Sequence, residues 1–300
     1  MSENSFMKNG EEQIFGRKVF FINPSIKIRY NVIPELRSEE YEAFMIKDYR
    51  LVKSILRDNP NALALINIDN ALTFGQWYNF IRSFEEEEVL KTIRVGVLCS
   101  KMSSEKERLL KNLNLTCGII ELETSSEVLE EKIKQVLVEN GAKGRRQYIR
   151  LDCKNLKLVK AYFYNDEKLY SLEVDNISSV GFAGTYSQEI TSILQEKFLK
   201  QTFTLHVGRK IMEVPCVIFD TRIRDGRGLS VLLFTKEVPL EVRKTIRSFI
   251  FEVLDEVHYM KLKQAEVDET EYSRKIPEVE EARKAKQFVK AYMSQLFRAV

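Results

Sequence analysis

The sequence predicts two domains, an α/β domain followed by a mainly β domain with flanking helices. Over the first 140 residues, short apolar runs alternate with helix-length amphipathic segments, as in a doubly wound parallel sheet. Hairpin patterns then replace this alternation, and a long amphipathic segment follows them. The length of 300 residues also favours two domains.

Five short apolar runs predict the buried strands of the first domain, at 18–23, 41–47, 62–68, 94–99 and 117–122. Four amphipathic segments predict helices on the faces of that sheet, at 49–57, 74–85, 104–113 and 126–140. The third of these helices follows a serine cap, and Asn140-Gly141 is a good stop signal for the last one. We therefore predict a five-stranded parallel sheet with right-handed crossovers.

This order resembles a response-regulator receiver domain, but the residues of its chemistry are replaced. A receiver has an acidic pair after its first strand, a phosphoacceptor Asp ending the third and a Lys ending the fifth. The matching stretches here are Ile22-Asn23-Pro24, Ile66-Asn67-Ile68 and Leu122-Glu123-Thr124. An asparagine neither accepts a phosphoryl group as a carboxylate does nor supplies an anionic magnesium ligand. We therefore predict a degenerate receiver-like domain at 17–140, used as a scaffold or protein-contact surface.

Asp69 leaves one alternative open for this domain. It lies two residues beyond Asn67, so a different strand register would bring it to the acceptor position. The acidic pair after the first strand would still be missing, and an intact phosphorylation switch is therefore the less favoured reading.

Two short motifs mark the second domain. The first is Arg146-Gln147-Tyr148-Ile149-Arg150, reinforced by Arg145, and the second is Asn176-Ile177-Ser178-Ser179-Val180-Gly181. A guanidinium can fork onto the O6/N7 edge of guanine or onto a phosphate, and it can stack on a purine. Asn176 and Ser178 supply short polar groups, and Gly181 permits a tight backbone. The pair is typical of a guanine-nucleotide site.

The first motif alone has little specificity, because Arg243-Lys244-Thr245-Ile246-Arg247 repeats its spacing. That second copy lies in a helical pattern, where arginines four residues apart are expected to share a solvated face. The asparagine and serine motif occurs once and follows the first arginine pair, so the order of the two motifs carries the prediction.

Both motifs in this order resemble the PilZ family, whose small antiparallel β-barrel binds the bacterial second messenger cyclic di-GMP. The resemblance covers about 141–260, and we place the PilZ domain at 141–262. It implies that Arg146 and Arg150 are the motif arginines and that Asn176, Ser178 and Gly181 form the second half of the site. With the adjacent Arg145, these residues are the predicted ligand-binding set.

The remaining barrel strands follow hairpin patterns. A strand beginning at 148–153 is followed by a hairpin at 156–164 and 168–174 with its turn at 165–167, and a further hairpin spans 211–234. The segment 186–199 departs from the family, because its helical spacing predicts an inserted helix that covers one barrel end.

Beyond the barrel, 239–260 is predicted as an amphipathic helix packed in the core. The polar stretch 263–275 is predicted as a linker to a final helix at about 277–299, so that 263–300 forms a linker and C-terminal helix. That last helix would dock on this subunit or, less favoured, on a partner. Residues 1–16 are expected to be a flexible N-terminus.

Composition limits the other functions. Hydrophobic residues are 44% and charged residues 30% of the chain, values typical of globular domains. The net charge of +3, with both signs interspersed, is too small to argue for nucleic acid by itself, and we expect no DNA or RNA partner. The four scattered cysteines suit a reducing compartment. There is no signal-peptide core and no run of about 18 apolar residues, so we expect a cytoplasmic protein without membrane insertion.

Catalytic motifs are missing from the sequence. It contains no Walker A string, no G-x-S-x-G elbow and no Gly-rich dinucleotide turn after the first strand. The two histidines, His206 and His258, have no cysteine nearby in sequence, so neither a metal site nor histidine-based catalysis is expected. We therefore predict a non-enzyme without a catalytic cofactor.

Four functional hypotheses follow in order of preference. The first is a non-catalytic cyclic di-GMP receptor, in which ligand binding at the connector and barrel changes the domain arrangement and the interaction with an unidentified protein partner. The second is a structural adaptor whose PilZ-like barrel binds no nucleotide. The third is a phosphorylation-switched regulator, and the fourth a nucleic-acid binder that uses the basic connector 141–146.

Overall fold

The computed structural model describes residues 16–154, 156, 158–194, 198–224 and 226–273. Most of the predicted flexible N-terminus and the predicted final helix at about 277–299 lie outside these residues. These residues divide into two compact units, one formed by 16–147 with His258–Thr270, the other by Tyr148–Val257 with 271–273.

The first unit contains a parallel sheet of five strands, as predicted. The strands are Val19–Ile22 (β1), Ala43–Ile46 (β2), Leu63–Asn67 (β3), Arg94–Cys99 (β4) and Ile119–Glu121 (β5). Their order is β2-β1-β3-β4-β5, and every neighbouring pair is parallel. This is the order of the doubly wound fold that receiver domains share. All residues of β1 and β3 are buried, as expected for strands covered on both faces.

Five α-helices accompany this sheet. They are Ile33–Ser38 (α1), Val52–Arg57 (α2), Phe74–Arg82 (α3), Ser104–Leu110 (α4) and Ser126–Glu139 (α5). Single 3₁₀ turns extend them at Tyr49–Leu51 and Ser83–Glu86, and another turn lies at Leu90–Thr92. The four helices that the sequence predicted are α2 to α5.

The first crossover helix was not predicted. It consists of a π-helical turn, Ile28–Val32, that continues into α1. Pro34 interrupts the sequence pattern, and it lies where the π-helical turn passes into α1. Buried apolar side chains such as Ile28 and Leu36 hold this segment against the core.

Side-chain caps mark the start of α3 and α4. Thr73 and Gln76 form a reciprocal capping box at the start of α3, and the hydroxyl of Ser103 accepts a hydrogen bond from the N–H of Lys106 in α4. Gly141, with φ of 71°, follows the end of α5 in the left-handed conformation that the stop signal predicted.

The second unit contains a closed antiparallel barrel. Its strands are Arg150–Asp152 (β6), Val159–Asn165 (β7), Lys168–Ser178 (β8), Gly181–Tyr186 (β9), Lys200–Val207 (β10), Lys210–Arg224 (β11) and Arg227–Phe234 (β12). Six of them close in the order β8-β7-β10-β11-β12-β9, because β9 also pairs with β8. The short strand β6 adds to β8. Closure confirms the predicted antiparallel barrel.

A helix at Gln188–Leu194 (α6) confirms the predicted insertion after β9. Its residues Ile190 and Leu194 are buried. The Thr221 hydroxyl of β11 donates a hydrogen bond of 2.8 Å to the carbonyl of Leu194. The Ser230 hydroxyl lies 3.0 Å from the Thr221 hydroxyl and 2.7 Å from the Tyr186 hydroxyl. This chain of hydroxyl groups ties the end of α6 to the barrel.

The last helix, Leu240–Ser273 (α7), is longer than the sequence predicted. The prediction ended it near residue 260 and treated 263–275 as a linker, which is wrong over 263–273. This stretch contains neither glycine nor proline, and six of its eleven residues are Glu, Lys, Gln or Ala, so its polarity does not interrupt the helix. In the first part of α7, the side chains of Ile246, Ile250 and Phe251 are buried.

Candidate ligand-binding site

The register between β6 and β8 brings Arg150 of the first motif beside the second motif. Arg150 lies opposite Ser178, and Asp152 lies opposite Asn176. Directly opposite residues of an antiparallel pair share one face, with Cβ atoms about 4.5–5.5 Å apart. Leu151 is buried whereas its two neighbours in β6 are exposed, so Arg150 and Leu151 point to opposite faces as predicted. Arg150 therefore stands on the outer face of the barrel beside the second motif.

Two side chains of this face have polar groups that form no ion pair or hydrogen bond among the described residues. Among the residues that the structure describes, the Arg150 guanidinium forms no ion pair and the Asn176 amide has no hydrogen-bond partner. The first is exposed and the second half-buried. A donor fork and an amide are thus left open to solvent on adjacent strands.

Ser178 shapes the turn of the second motif. Ser179 and Val180 form a two-residue loop between β8 and β9, and Ser178 faces Gly181 across its base. The Ser178 hydroxyl donates to the Gly181 carbonyl over 3.1 Å and accepts from the Val180 N–H over 3.4 Å. Ser178 therefore closes the loop from within, a structural role that the sequence did not reveal.

Gly181 is required by a close approach of two strands. It begins β9 and pairs with Leu233 of β12. A Cβ atom at this position would lie 2.2 Å from the carbonyl oxygen of Leu232, far inside van der Waals contact. Because Gly181 is not among the residues with positive φ, its role is to let β12 pass close by, as the predicted tight backbone implies.

A β-bulge at Asp175 places a second carboxylate near Asp152. The bulge lies between Val174 and Asn176 in the pairing of β8 with β9, and the Asp175 carbonyl accepts a hydrogen bond of 2.8 Å from the N–H of Cys153. Burial raises the pKa of the Asp175 carboxyl, although attraction to Lys154 partly opposes it. The face next to the second motif thus carries acidic as well as basic groups.

Arg145 and Arg146 lie in the connector that precedes β6. Both side chains are exposed, and the connector up to Gln147 belongs to the first unit. The structure thus brings together Arg150, Asn176, Ser178 and Gly181 within the second unit, whereas Arg145 and Arg146 remain predicted members of the site.

Arg243 contacts the second motif, which the sequence did not predict. Its Nη1 donates to the carbonyl of Ser179 over 3.4 Å, and its Nη2 donates to the carbonyls of Thr235 over 2.7 Å and Phe234 over 3.5 Å. Its guanidinium carbon also lies 5.9 Å from the centre of the Phe234 ring. The expected solvated face is therefore wrong for Arg243. No sequence signal marked it, because its partners are backbone carbonyls.

In the first unit, Asn67 is the last residue of β3, at the carboxyl edge of the sheet. Asp69 lies beyond the strand, and its carboxylate accepts hydrogen bonds from the N–H and hydroxyl of Ser100 at 2.9–3.0 Å. The side-chain amide of Asn23 donates to the carbonyls of Asn67 at 3.1 Å and Asn70 at 3.0 Å. The register is therefore the one that places an amide, and not Asp69, at the end of the third strand.

The four cysteines are buried and reduced. Burial raises the pKa of Cys99 and Cys117 to about 11 and that of Cys153 to about 12, and it raises the pKa of Cys216 as well. A thiol with such a pKa stays protonated near neutral pH, so these residues pack as small hydrophobic side chains.

Among the described residues, no helix is both long enough and apolar enough to cross a membrane.

No protein-family model matches the sequence, and no curated protein matches it. Solved structures resemble parts of the chain. The PilZ domain of YcgR from Escherichia coli, solved with cyclic di-GMP, is 14% identical and has a TM-score of 0.32 over 38% of this chain and 95% of that one. The MrkH complex with cyclic di-GMP from K. pneumonia is 12% identical, with a TM-score of 0.34 over 38% of this chain and 55% of that one.

The chemotaxis response regulator CheY4 of Vibrio cholerae also resembles part of this chain. It is 23% identical, with a TM-score of 0.34 over 40% of this chain and 98% of that one. The strand orders described above are those of a five-stranded α/β sheet and a closed barrel of six antiparallel strands. Both fold types are those that the sequence predicted.

Proposed function

We propose that this protein is a non-catalytic receptor for cyclic di-GMP. The observation that supports this proposal most directly is the β6–β8 register, which sets Arg150 opposite Ser178 and puts Asn176 on the same pair of strands. Arg150 and Asn176, 26 residues apart in sequence, thereby lie on one pair of adjacent strands.

The chemistry of this face suits a guanine nucleotide. Arg150 offers a forked donor for a phosphate or for the O6/N7 edge of guanine. Asn176 offers an amide donor and acceptor. Arg145 and Arg146 would add two further cations from the connector, which suits a ligand with two phosphate groups.

The position of Arg145 and Arg146 suggests how binding would act. A ligand that engages the barrel face and both connector arginines would restrict the connector, and so favour one arrangement of the two units. Ligand binding changes the free-energy difference between the two arrangements by the difference between their binding free energies for the ligand. We place this receptor in the cytoplasm, consistent with four reduced cysteines. We also expect a protein partner to bind one arrangement of the two units in preference to the other.

Isothermal titration with cyclic di-GMP tests the proposal. Arg146→Ala and Arg150→Ala should each weaken binding by about 10- to 100-fold, because a hydrogen bond from a charged group contributes about 1.5–3 kcal/mol. Arg222→Ala is the matched control. Arg222 is exposed on β11, the strand opposite β8 in the barrel, where it pairs with Asp220 over 2.6 Å. No heat with the unmodified protein, or unchanged affinity in both site variants, would refute the proposal.

The second candidate is a structural adaptor with an empty barrel site. It is favoured by the engagement of the Ser178 hydroxyl within its own turn, and by Asp152 and Asp175 beside the motif. The large exposed side chains of Phe219 and Ile223 on β11 would then serve protein contacts. An intact fold that produces no heat with cyclic di-GMP would favour this candidate.

A further inference from the structure

We infer that Arg243 is a positioning residue for the Ser179-Val180 loop of the second motif, and that it couples this loop to helix α7. The role in holding the loop is a property of the unliganded protein. Its consequence for binding rests on the proposed function.

The carbonyl groups of this loop are held by three different donors. The Phe234 N–H donates to the Val180 carbonyl over 2.8 Å, and the Ser178 hydroxyl donates to the Gly181 carbonyl. The Ser179 carbonyl accepts from Arg243. Two of these donors belong to the barrel strands, whereas Arg243 belongs to the helix that follows. Arg243 therefore links the loop to α7.

Arg243 suits this role because its guanidinium reaches several carbonyls from one planar group. It spans the loop at Ser179 and the end of β12 at Phe234 and Thr235. A lysine ammonium is a point charge and does not reproduce such a fork. The Ser179 residue is 1% exposed, so its carbonyl would have little access to water in place of Arg243.

The location of Arg243 on α7 also argues against a passive surface role. The helix begins at Leu240, so Arg243 lies in the first turn, where a positive charge opposes the helix dipole. Its carbonyl partners offset this disadvantage. The following residues Ile246 and Ile250 are buried, so the start of α7 is anchored while Arg243 reaches the loop.

The coupling has a reciprocal consequence. If contact with Arg243 favours the loop conformation that binds the ligand, the ligand must equally favour the contact with Arg243. Ligand binding at the second motif would thereby stabilise the first turns of α7. Helix α7 would then respond to ligand binding, as would the connector that carries Arg145 and Arg146.

Hydrogen exchange measured by mass spectrometry on the full chain tests the positioning role without ligand. In Arg243→Gln, amides at 178–182 should exchange at least tenfold faster than in the unmodified protein, while amides of β7 and β10 keep their rates. Arg243→Lys, the milder variant, should rescue only part of this protection. Lys244→Gln is the matched control, because Lys244 is exposed on the same turn and pairs with Glu241 over 2.9 Å.

Titration with cyclic di-GMP then tests the coupling. The unmodified protein should gain protection at 240–250 on binding, and Arg243→Gln should bind at least fivefold more weakly and lose that gain. Exchange at 178–182 that stays within twofold in Arg243→Gln, or that rises equally in every barrel strand, would overturn the positioning role. If the unmodified protein does not bind cyclic di-GMP, the proposed function fails, while the measurements without ligand still decide the role of Arg243.

Discussion

Replacing Gly181 with alanine would place a methyl group against the backbone of β12. The new Cβ would lie 2.2 Å from the Leu232 carbonyl oxygen and 3.1 Å from the Leu233 Cα. No side-chain rotation relieves a contact with backbone, so β9 and β12 would have to separate by about 0.8 Å to reach 3.0 Å. That movement weakens the ladder where Gly181 pairs with Leu233.

The cost combines two effects. Overpacking typically destabilises by about 1–3 kcal/mol, and each ladder hydrogen bond that is lost or strained adds about 1 kcal/mol. We therefore expect Gly181→Ala to lower the free energy of unfolding of the barrel by about 2–4 kcal/mol. Gly184→Ala on the same strand is the matched control. Its Cβ would meet the Glu173 carbonyl and the Leu172 side chain at 3.2 Å, which small shifts can accommodate, so the expected cost is below about 1 kcal/mol.

The assay must report on the barrel alone. The single tryptophan, Trp77, lies in the first unit, so its fluorescence follows the unfolding of that unit. Hydrogen exchange of amides in β10 and β12 reports on the barrel, and amides of β3 serve as an internal reference. An increase of about 30- to 700-fold in barrel exchange is expected for Gly181→Ala. Exchange within threefold of the unmodified protein would refute the close-approach explanation.

Three further predictions concern the second unit. Tyr186→Phe removes the hydrogen bond to Ser230 and should lower the free energy of unfolding of the barrel by about 0.5–1.5 kcal/mol, measured by hydrogen exchange of the barrel amides. The loss stays in this range because Ser230 keeps Thr221 as a second partner. Cys153 should react with iodoacetamide at pH 8 at least about 100-fold more slowly in the folded protein than in urea, since its pKa is raised to about 12; equal rates by mass spectrometry would contradict this. Asp175→Asn should stabilise the barrel at pH 7 in denaturant titrations. Because the native pKa of Asp175 is raised, its carboxylate form is disfavoured, and the advantage of Asn should shrink as acidification protonates Asp175; a pH-independent difference would contradict the assigned cause.

The comparison of sequence with structure differs between the two units. Apolar periodicity predicted all five strands of the first unit, because strands buried on both faces leave a continuous local signal. The crossover at Ile28–Ser38 was missed, since Pro34 interrupts the pattern that its buried side chains would otherwise show. The end of α7 was misplaced for the opposite reason, because a polar helical segment lacks periodicity and resembles a linker.

For the site itself, the sequence predicted the residue types but not the contacts between them. The motifs predicted Arg150, Asn176 and Gly181 as site residues from order and spacing. Only the register of β6 with β8 showed which of them face each other. The loop contact of Arg243 joins residues 64 positions apart through a backbone carbonyl, and any residue type at Ser179 would present the same carbonyl.

The sequence by itself determined the two fold types, the amide at the end of the third strand and the order of the arginine and asparagine motifs. These features are local, since they depend on periodicity and on residue identity along a short stretch. The tertiary structure decided which arginine supports the motif, why Gly181 is needed and where Asp175 lies. Those facts depend on strand register, on a bulge and on the distance between backbones, which arise only when distant segments are packed together.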